Sequence, residues 1–428
     1  MGFGGTTNTS GGKSTGGLPS TGGNESTGGL PSTGGSRTTA GNASTGGNVS
    51  TGGQSNSGGA LNACGTASGT QGGLPRQSDI LSSMRLANTY FTNQWPDPTV
   101  NITTNPARPS NLWTRAVYFE GLMGLYGVET DTTLKTGYHN YAVTWGAAPA
   151  HPWQLYGGVN TTRDANSQCC GQTYIDLYNL DTSQSVRIQN IKADIDAMTV
   201  AGSSDGDWTW IDAIQMAMPV FAKLGAVYTT NSAYFSKMYS LYENTKTTQG
   251  LYDTTKHLWW RDATFKPPST TQCYWSRGNG WVFAALTRVL DTIPATESHR
   301  SEYIADFTAM AGALKSIQRS DGFWNQSLIG PNADDGPELT GTALFAYGMA
   351  WGLRKGILDS SYGPIVAKAW CAMASAVHSN GFLGYVQGSG SGPAAAGVVT
   401  LNSVPDFQDF GVGCFLLAGS ETYKLAVP

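Results

Sequence analysis

The sequence predicts an all-α protein whose folded part is a closed toroid of helical hairpins. Roughly a dozen segments place apolar residues at three- and four-residue spacing, the helical period. Alternating period-two runs are few, and no glycine-rich nucleotide loop follows a strand. The helical part also shows no fixed repeat period, which an open solenoid of stacked repeats would have.

Two segments are expected in chain order. Residues 1–73 form a low-complexity Gly/Ser/Thr/Asn linker in which STGGLPSTGG occurs at Ser14–Gly23 and again at Ser26–Gly35. Such a composition buries too little apolar surface to offset its ordering entropy, so a disordered tether is expected. The folded domain is expected over 74–428. Ser78 or Asp79 caps a first helix running through Ile80 and Met84 to Tyr90. A proline-rich loop follows, then a helix from Trp113 that stops at Gly127. Further helices are expected at Tyr138–Trp145, Ser167–Tyr178, Val186–Met198, Ala233–Thr245, Gly280–Leu290, Glu302–Gln318, Gly341–Lys355, Tyr362–Val377 and Phe410–Ala418, with a helical run also in the second part of Asp207–Gly225.

Composition narrows the function. The chain has 428 residues, net charge −4 and 13% charged residues, about half the usual ~25%. No basic patch suggests nucleic acid, and no apolar run is long enough for a transmembrane segment. Met1–Gly5 lacks the basic start and apolar run of a signal peptide. The 13 Trp and 19 Tyr suit a surface that stacks sugar rings, and equally a large core. The six cysteines form no CxxC pair and the five His form no HExxH, so neither a metal site nor a cofactor is expected. Cysteine pairing stays open, although adjacent Cys169 and Cys170 do not bond to each other without strain.

Asp207–Gly225, DWTWIDAIQMAMPVFAKLG, is the central stretch. Ile211, Ile214, Met218 and Phe221 fall on one helical face, with Asp212 and Gln215 on a neighbouring strip. An acid among the indoles of Trp208 and Trp210 loses solvation, which raises its pKa and suits a proton donor. The competing reading of Asp212 is a helix N-cap. In Trp275–Trp281, WSRGNGW, Arg277 offers a fork matching a carboxylate. Its glycines allow a tight turn or a close approach. The two Trp offer stacking walls, or else core. His257, beside Trp259 and Trp260, reads first as a hydrogen-bonded core residue. Asp164, in Thr162–Tyr178, reads as an acid at a site or as an N-cap. Glu338 reads as a cap or loop ion pair, and Asp321 with Trp324 as a turn.

WSRGNGW, WIDAIQMAMP, GLYDTTKHLWWRD, DANSQCCGQTY and ELTGTA, lying between Asp164 and Ala343, together resemble the unsaturated glycosyl-uronate hydrolases of glycoside hydrolase family 105, with the related family 88 behind; the likeness covers most of residues 76–425. The resemblance implies an (α/α)6 barrel and a hydrolase that removes a 4,5-unsaturated uronic acid from the non-reducing end of pectin-derived rhamnogalacturonan oligosaccharides. It does so by hydrating the C4=C5 double bond, without a cofactor. It further implies Asp212 as catalytic acid and then base. Asp164 and His257 would hold the sugar, and Arg277 the uronate carboxylate. Trp275 and Trp281 would be aromatic walls, with Trp113, Tyr118 and Trp208 in the same pocket. The expected partner is an unsaturated uronyl oligosaccharide, met by a monomer outside the cell or tethered to its envelope. The rival readings are a conventional inverting glycosidase with two carboxylates, a carbohydrate-binding protein that has lost turnover, and a sugar epimerase on a similar toroid.

Overall fold

The computed structural model describes residues 73–102, 107–157, 162–269, 273–329, 336–393, 397–406 and 408–428. Of the linker expected over 1–73, residues 1–72 lie outside the described residues, as does Cys64.

Apolar helices surrounded on every side have to sit inside, and four segments are of this kind. Every residue from Asp212 to Gly225, Ser276 to Leu290, Leu339 to Gly352 and Asp409 to Thr422 is buried. These stretches belong to α7 (Asp212–Val227), α9 (Ser276–Thr292), α11 (Leu339–Arg354) and α13 (Asp409–Leu425). With α2 (Trp113–Val128) and α5 (Gly171–Leu180), they form an inner ring. Around it α13 packs on α2 and α11, α9 on α11 and α7, and α5 on α7 and α2. The outer layer comprises α1 (Gln77–Gln94), α3 (Thr132–Gly146), α6 (Val186–Met198), α8 (Ala233–Glu243), α10 (Arg300–Ser316) and α12 (Gly363–Ser375). A single turn, α4 (Ala165–Gln168), precedes α5. Outer helices bury one stripe only; in α3 just Ala142, Trp145 and Gly146 are buried. Inner and outer helices alternate along the chain, so every inner helix runs in the same sense. This is the (α/α)6 barrel.

Helix positions follow the sequence reading closely; Val186–Met198 is reproduced residue for residue. Two details are corrected. First, α7 is buried all round rather than along one stripe, because ring neighbours and α8 cover its other sides. Second, Gly278 and Gly280 lie inside the first turns of α9 and make no tight turn. A Cβ on Gly280 would stand 3.3 Å from Gly341 Cα of α11, so this glycine serves helix packing.

Ring closure between the first and last inner helices rests on bare backbone. A Cβ on Gly121 would lie 2.3 Å from the Gly413 carbonyl oxygen, and one on Gly413 2.2 Å from that of Val117. Two short antiparallel pairs decorate the loops: β1 (Tyr252–Asp253) with β2 (Leu258–Trp259), and β3 (Trp324–Asn325) with β4 (Pro337–Glu338). No helix among the described residues is long and apolar enough to cross a membrane.

Gly413→Ala is expected to destabilise the protein by about 1–3 kcal/mol, the usual cost of overpacking. Gly127→Ala, on an exposed helical position with nothing within 4 Å, should be neutral or stabilise by up to about 1 kcal/mol. Denaturant titration of the two variants tests this.

Candidate active site

The loop entering α7 pairs with the loop that approaches α9. Trp210 forms an isolated bridge with Asp262, and the Ile211 N–H donates to the Arg261 carbonyl at 2.9 Å. This backbone clasp brings Arg261 beside Asp212, the first residue of α7. Arg261 Nε donates to Asp212 Oδ2 at 3.2 Å, and Nη1 donates to Asp262 Oδ2 at 2.6 Å. The N-cap of α7 is Ile211 and no side chain caps the helix, so the capping reading of Asp212 does not hold. Asp212 is 6% exposed. Burial pushes its carboxyl above the ordinary range, while the guanidinium of Arg261, and then that of Arg277, pull it back.

Asp212 opens into a cavity of about 450 Å³ lined by Arg108, Trp113, Asn166, Trp210, Met216, Arg261 and Ser389–Ser391, a volume ordinary for a small-ligand site. Its walls are two indoles, two guanidiniums and small polar groups. Among the described lining residues Asp212 is the one carboxylate.

The other sequence candidates are distributed as follows. Trp113 lines the cavity and packs on Phe410 at 5.4 Å between ring centroids. Trp281 is buried behind it, edge-on at 6.4 Å. Asp164 is the N-cap of α4, accepting from the backbone of Asn166 and Ser167 and from the Ser167 hydroxyl at 2.8 Å; its neighbour Asn166 reaches the cavity. His257 is exposed in the β1–β2 turn, with Nδ1 3.0 Å from the Tyr252 hydroxyl, and is absent from the cavity wall. Trp208 is buried against Phe221, and Tyr118 is buried with its hydroxyl donating to Asn88 Oδ1 at 2.8 Å, so both are core. Glu338 caps α11, accepting from Thr340 N–H at 2.8 Å and Gly341 N–H at 2.7 Å. Asp321 accepts from Arg319 and the Phe323 N–H in a turn.

Arg277 departs most from its expected role. Its Nη1 and Nη2 donate to the carbonyls of Gln387 and Gly388, both at 2.8 Å, and its guanidinium lies 4.4 Å from the Trp275 ring. Trp275 Nε1 donates to Gln387 Oε1 at 2.8 Å. The WSRGNGW motif thus anchors the 387–391 loop, whose Ser389–Ser391 line the cavity. The half-buried guanidinium beside the acid belongs instead to Arg261. In the string that carries His257, the signal for the site is the Arg261–Asp262 pair that follows Trp259 and Trp260. Arg108 and Ser389–Ser391 come from Pro/Gly/Ser loops that carry no such signal.

Arg277→Ala is expected to cost about 2–3 kcal/mol of stability, because two buried carbonyls lose a charged donor. Limited proteolysis should then cut the 387–391 loop faster than in wild type.

Residues 83–426 match the family model described as Glycosyl Hydrolase Family 88. A curated relative from Formosa agariphila, named Unsaturated 3S-rhamnoglycuronyl hydrolase, is 33% identical over 336 residues, covering 73% of this chain and 84% of its own. The structure described as glycosyl hydrolase family 88 from Bacteroides vulgatus superposes with TM-score 0.71 and 31% identity over 82% of this chain and 99% of its own. One described as a possible family 105 member from Salmonella enterica shares the fold at TM-score 0.63 and 18% identity, over 81% of this chain and 94% of its own. The matching model is that of family 88, the second of the two related families the motifs resemble, and it spans the whole ring of helices: the chain is a glycoside hydrolase and belongs to glycosyl hydrolase family 88.

Proposed function

We propose that this enzyme hydrates the C4=C5 double bond of a 4,5-unsaturated uronic acid at the non-reducing end of a rhamnose-containing oligosaccharide. The observation that carries the reading is a single buried carboxylate, Asp212, raised above its ordinary range by burial and facing a cavity that also holds Arg261 and Arg108. One acid suffices for this chemistry. Protonated Asp212 gives its proton to C4, and positive charge develops at C5 and the ring oxygen. Water adds at C5 and returns its proton to the Asp212 carboxylate. The hemiketal then opens and releases the aglycone. An inverting glycosidase would need a second carboxylate about 6.5–9.5 Å away, with a water between. The lining residues described hold no second carboxylate, and the choice of substrate separates the two reactions.

The guanidiniums suit a uronate, and Trp113 and Trp210 suit the apolar faces of sugar rings. The Formosa agariphila relative's name, Unsaturated 3S-rhamnoglycuronyl hydrolase, sets rhamnose beside the uronyl unit; rhamnogalacturonan itself is what the family resemblance implies. The Gly/Ser/Thr-rich stretch at 1–73 supports action outside the cell, on a tether.

The conjugated alkene of the substrate absorbs in the ultraviolet, and hydration destroys that band. Wild type is expected to bleach it on pectin-lyase products or on unsaturated rhamnoglycuronyl oligosaccharides. Asp212→Asn keeps the shape and removes the proton, so its rate should fall by at least about 10²–10⁴-fold with an unchanged melting temperature. A stable band with wild type across both substrate sets would overturn the reading.

A further inference from the structure

Arg261 holds two carboxylates and keeps one nitrogen in reserve. Nε serves Asp212 and Nη1 serves Asp262, while Nη2 has no partner among the described residues. Its side chain is 21% exposed and lines the cavity, whereas that of Asp212 is 8% exposed. Asp262 is bound independently: its Oδ1 accepts from the Thr264 N–H at 2.8 Å and from the Thr264 hydroxyl at 2.5 Å. Arg261 therefore keeps an anchor when its Nε lets go of Asp212. Arg277 has no such freedom, since both its Nη atoms are bound to carbonyls.

We propose that Arg261 is the residue that recognises the uronate carboxylate, and that its transfer from Asp212 to the substrate loads the proton that Asp212 donates. The proposal rests on the hydration reading above. In the empty site burial pushes the Asp212 carboxyl up, and Arg261 works against that push by favouring the anion, the form that cannot act as a general acid. An arriving uronate competes for the same guanidinium and brings a second negative charge. Both changes disfavour the Asp212 carboxylate, so it takes a proton from solvent as the substrate binds. That proton then goes to C4, and the proton of the adding water replaces it. Only a carboxylate-bearing ligand arms the acid.

Arg261, with Asp262, comes from the loop before α9, and Arg277 from α9 itself. Arg108 stands in the cavity wall from the loop before α2, and α4 contributes the uncharged Asn166. Arg277 stays bound to its carbonyls, so the exchange at Arg261 dominates the change in field.

The test compares an unsaturated uronyl disaccharide with its carboxyl-reduced counterpart, following aglycone release over pH. A general acid is lost as pH rises through its pKa. In wild type the alkaline limb of kcat, set by the complex, should lie about one pH unit or more above that of kcat/KM, set by the free enzyme. Arg261→Gln should lose roughly 10- to 100-fold in kcat/KM on the uronate and little on the reduced substrate. Its kcat/KM limb should move up and close the gap. Arg261→Lys, which keeps a cation, should retain part of the preference and part of the gap. Equal losses on both substrates, or a gap unchanged in Arg261→Gln, would overturn the proposal while leaving hydration intact. No bleaching by wild type would remove hydration itself. Should Arg261→Gln not fold, titration calorimetry of folded wild type with saturated glucuronate in two buffers decides. Proton uptake that is absent in Asp212→Asn supports the exchange, and its absence in wild type sinks it.

Discussion

Closing the ring between α2 and α13 is the constraint on which the mouth of the barrel depends. The two helices touch backbone to backbone at Gly121 and Gly413, with no room for a methyl group on either side. That approach fixes the circumference for the four other inner helices. Because all six run in one sense, the starts of α2, α7, α9, α11 and α13 gather at one end, with the loops that precede them. The cavity is built from this set: Trp113 at the start of α2, Asp212 at the start of α7, Arg261 before α9 and Ser389–Ser391 before α13. Helix N-termini favour negative charge, so the same geometry that closes the ring also gives an anionic sugar a favourable field.

Inside the barrel, side-chain hydrogen bonds tie α7 and α9 to α2. Gln215, one turn below Asp212, donates to Glu120 Oε2 of α2 at 2.7 Å, and Arg288 of α9 pairs with the same oxygen. Cys169 Sγ lies 3.4 Å from the other oxygen. Burial pushes the Glu120 carboxyl up, and Arg288, Gln215 and Cys169 work against this. A buried ion pair is weak support for stability, but it selects one arrangement of its helices, because a buried charge left unpaired is costly. Residues three apart share a helical face. Locking Gln215 inward therefore turns Asp212 toward the mouth.

The fold was legible because the barrel is built from local signals. Helical periodicity marked nearly every element, and the lack of a repeat period separated toroid from solenoid. Asp212 was legible as an acid placed among indoles, and Trp113 only through the family resemblance. The rest of the site was not, for a definite reason. A side chain's role at a loop-built mouth depends on which loops meet, and that is fixed by ring order rather than by spacing along the chain. Arg277 shows this. Its type suits a carboxylate, yet the 387–388 backbone reaches it first. Arg261, sixteen residues earlier in the chain, is carried to Asp212 by the clasp of Trp210 with Asp262.

The two arginines divide a task that either could perform in isolation. A guanidinium with both terminal nitrogens bound to carbonyls is a structural cation: it fixes the loop and contributes a steady field at Asp212. A guanidinium at the cavity edge, bound to the acid by one nitrogen only, is exchangeable. A carboxylate ligand competes for the second kind and leaves the first in place. Were Arg277 the one released, the 387–391 wall would loosen at the moment the cavity needs to exclude bulk water. With Arg261 as the exchanging partner, Asp262 keeps it tethered, the wall stays closed, and Asp212 feels both the loss of its guanidinium and the negative charge of the substrate.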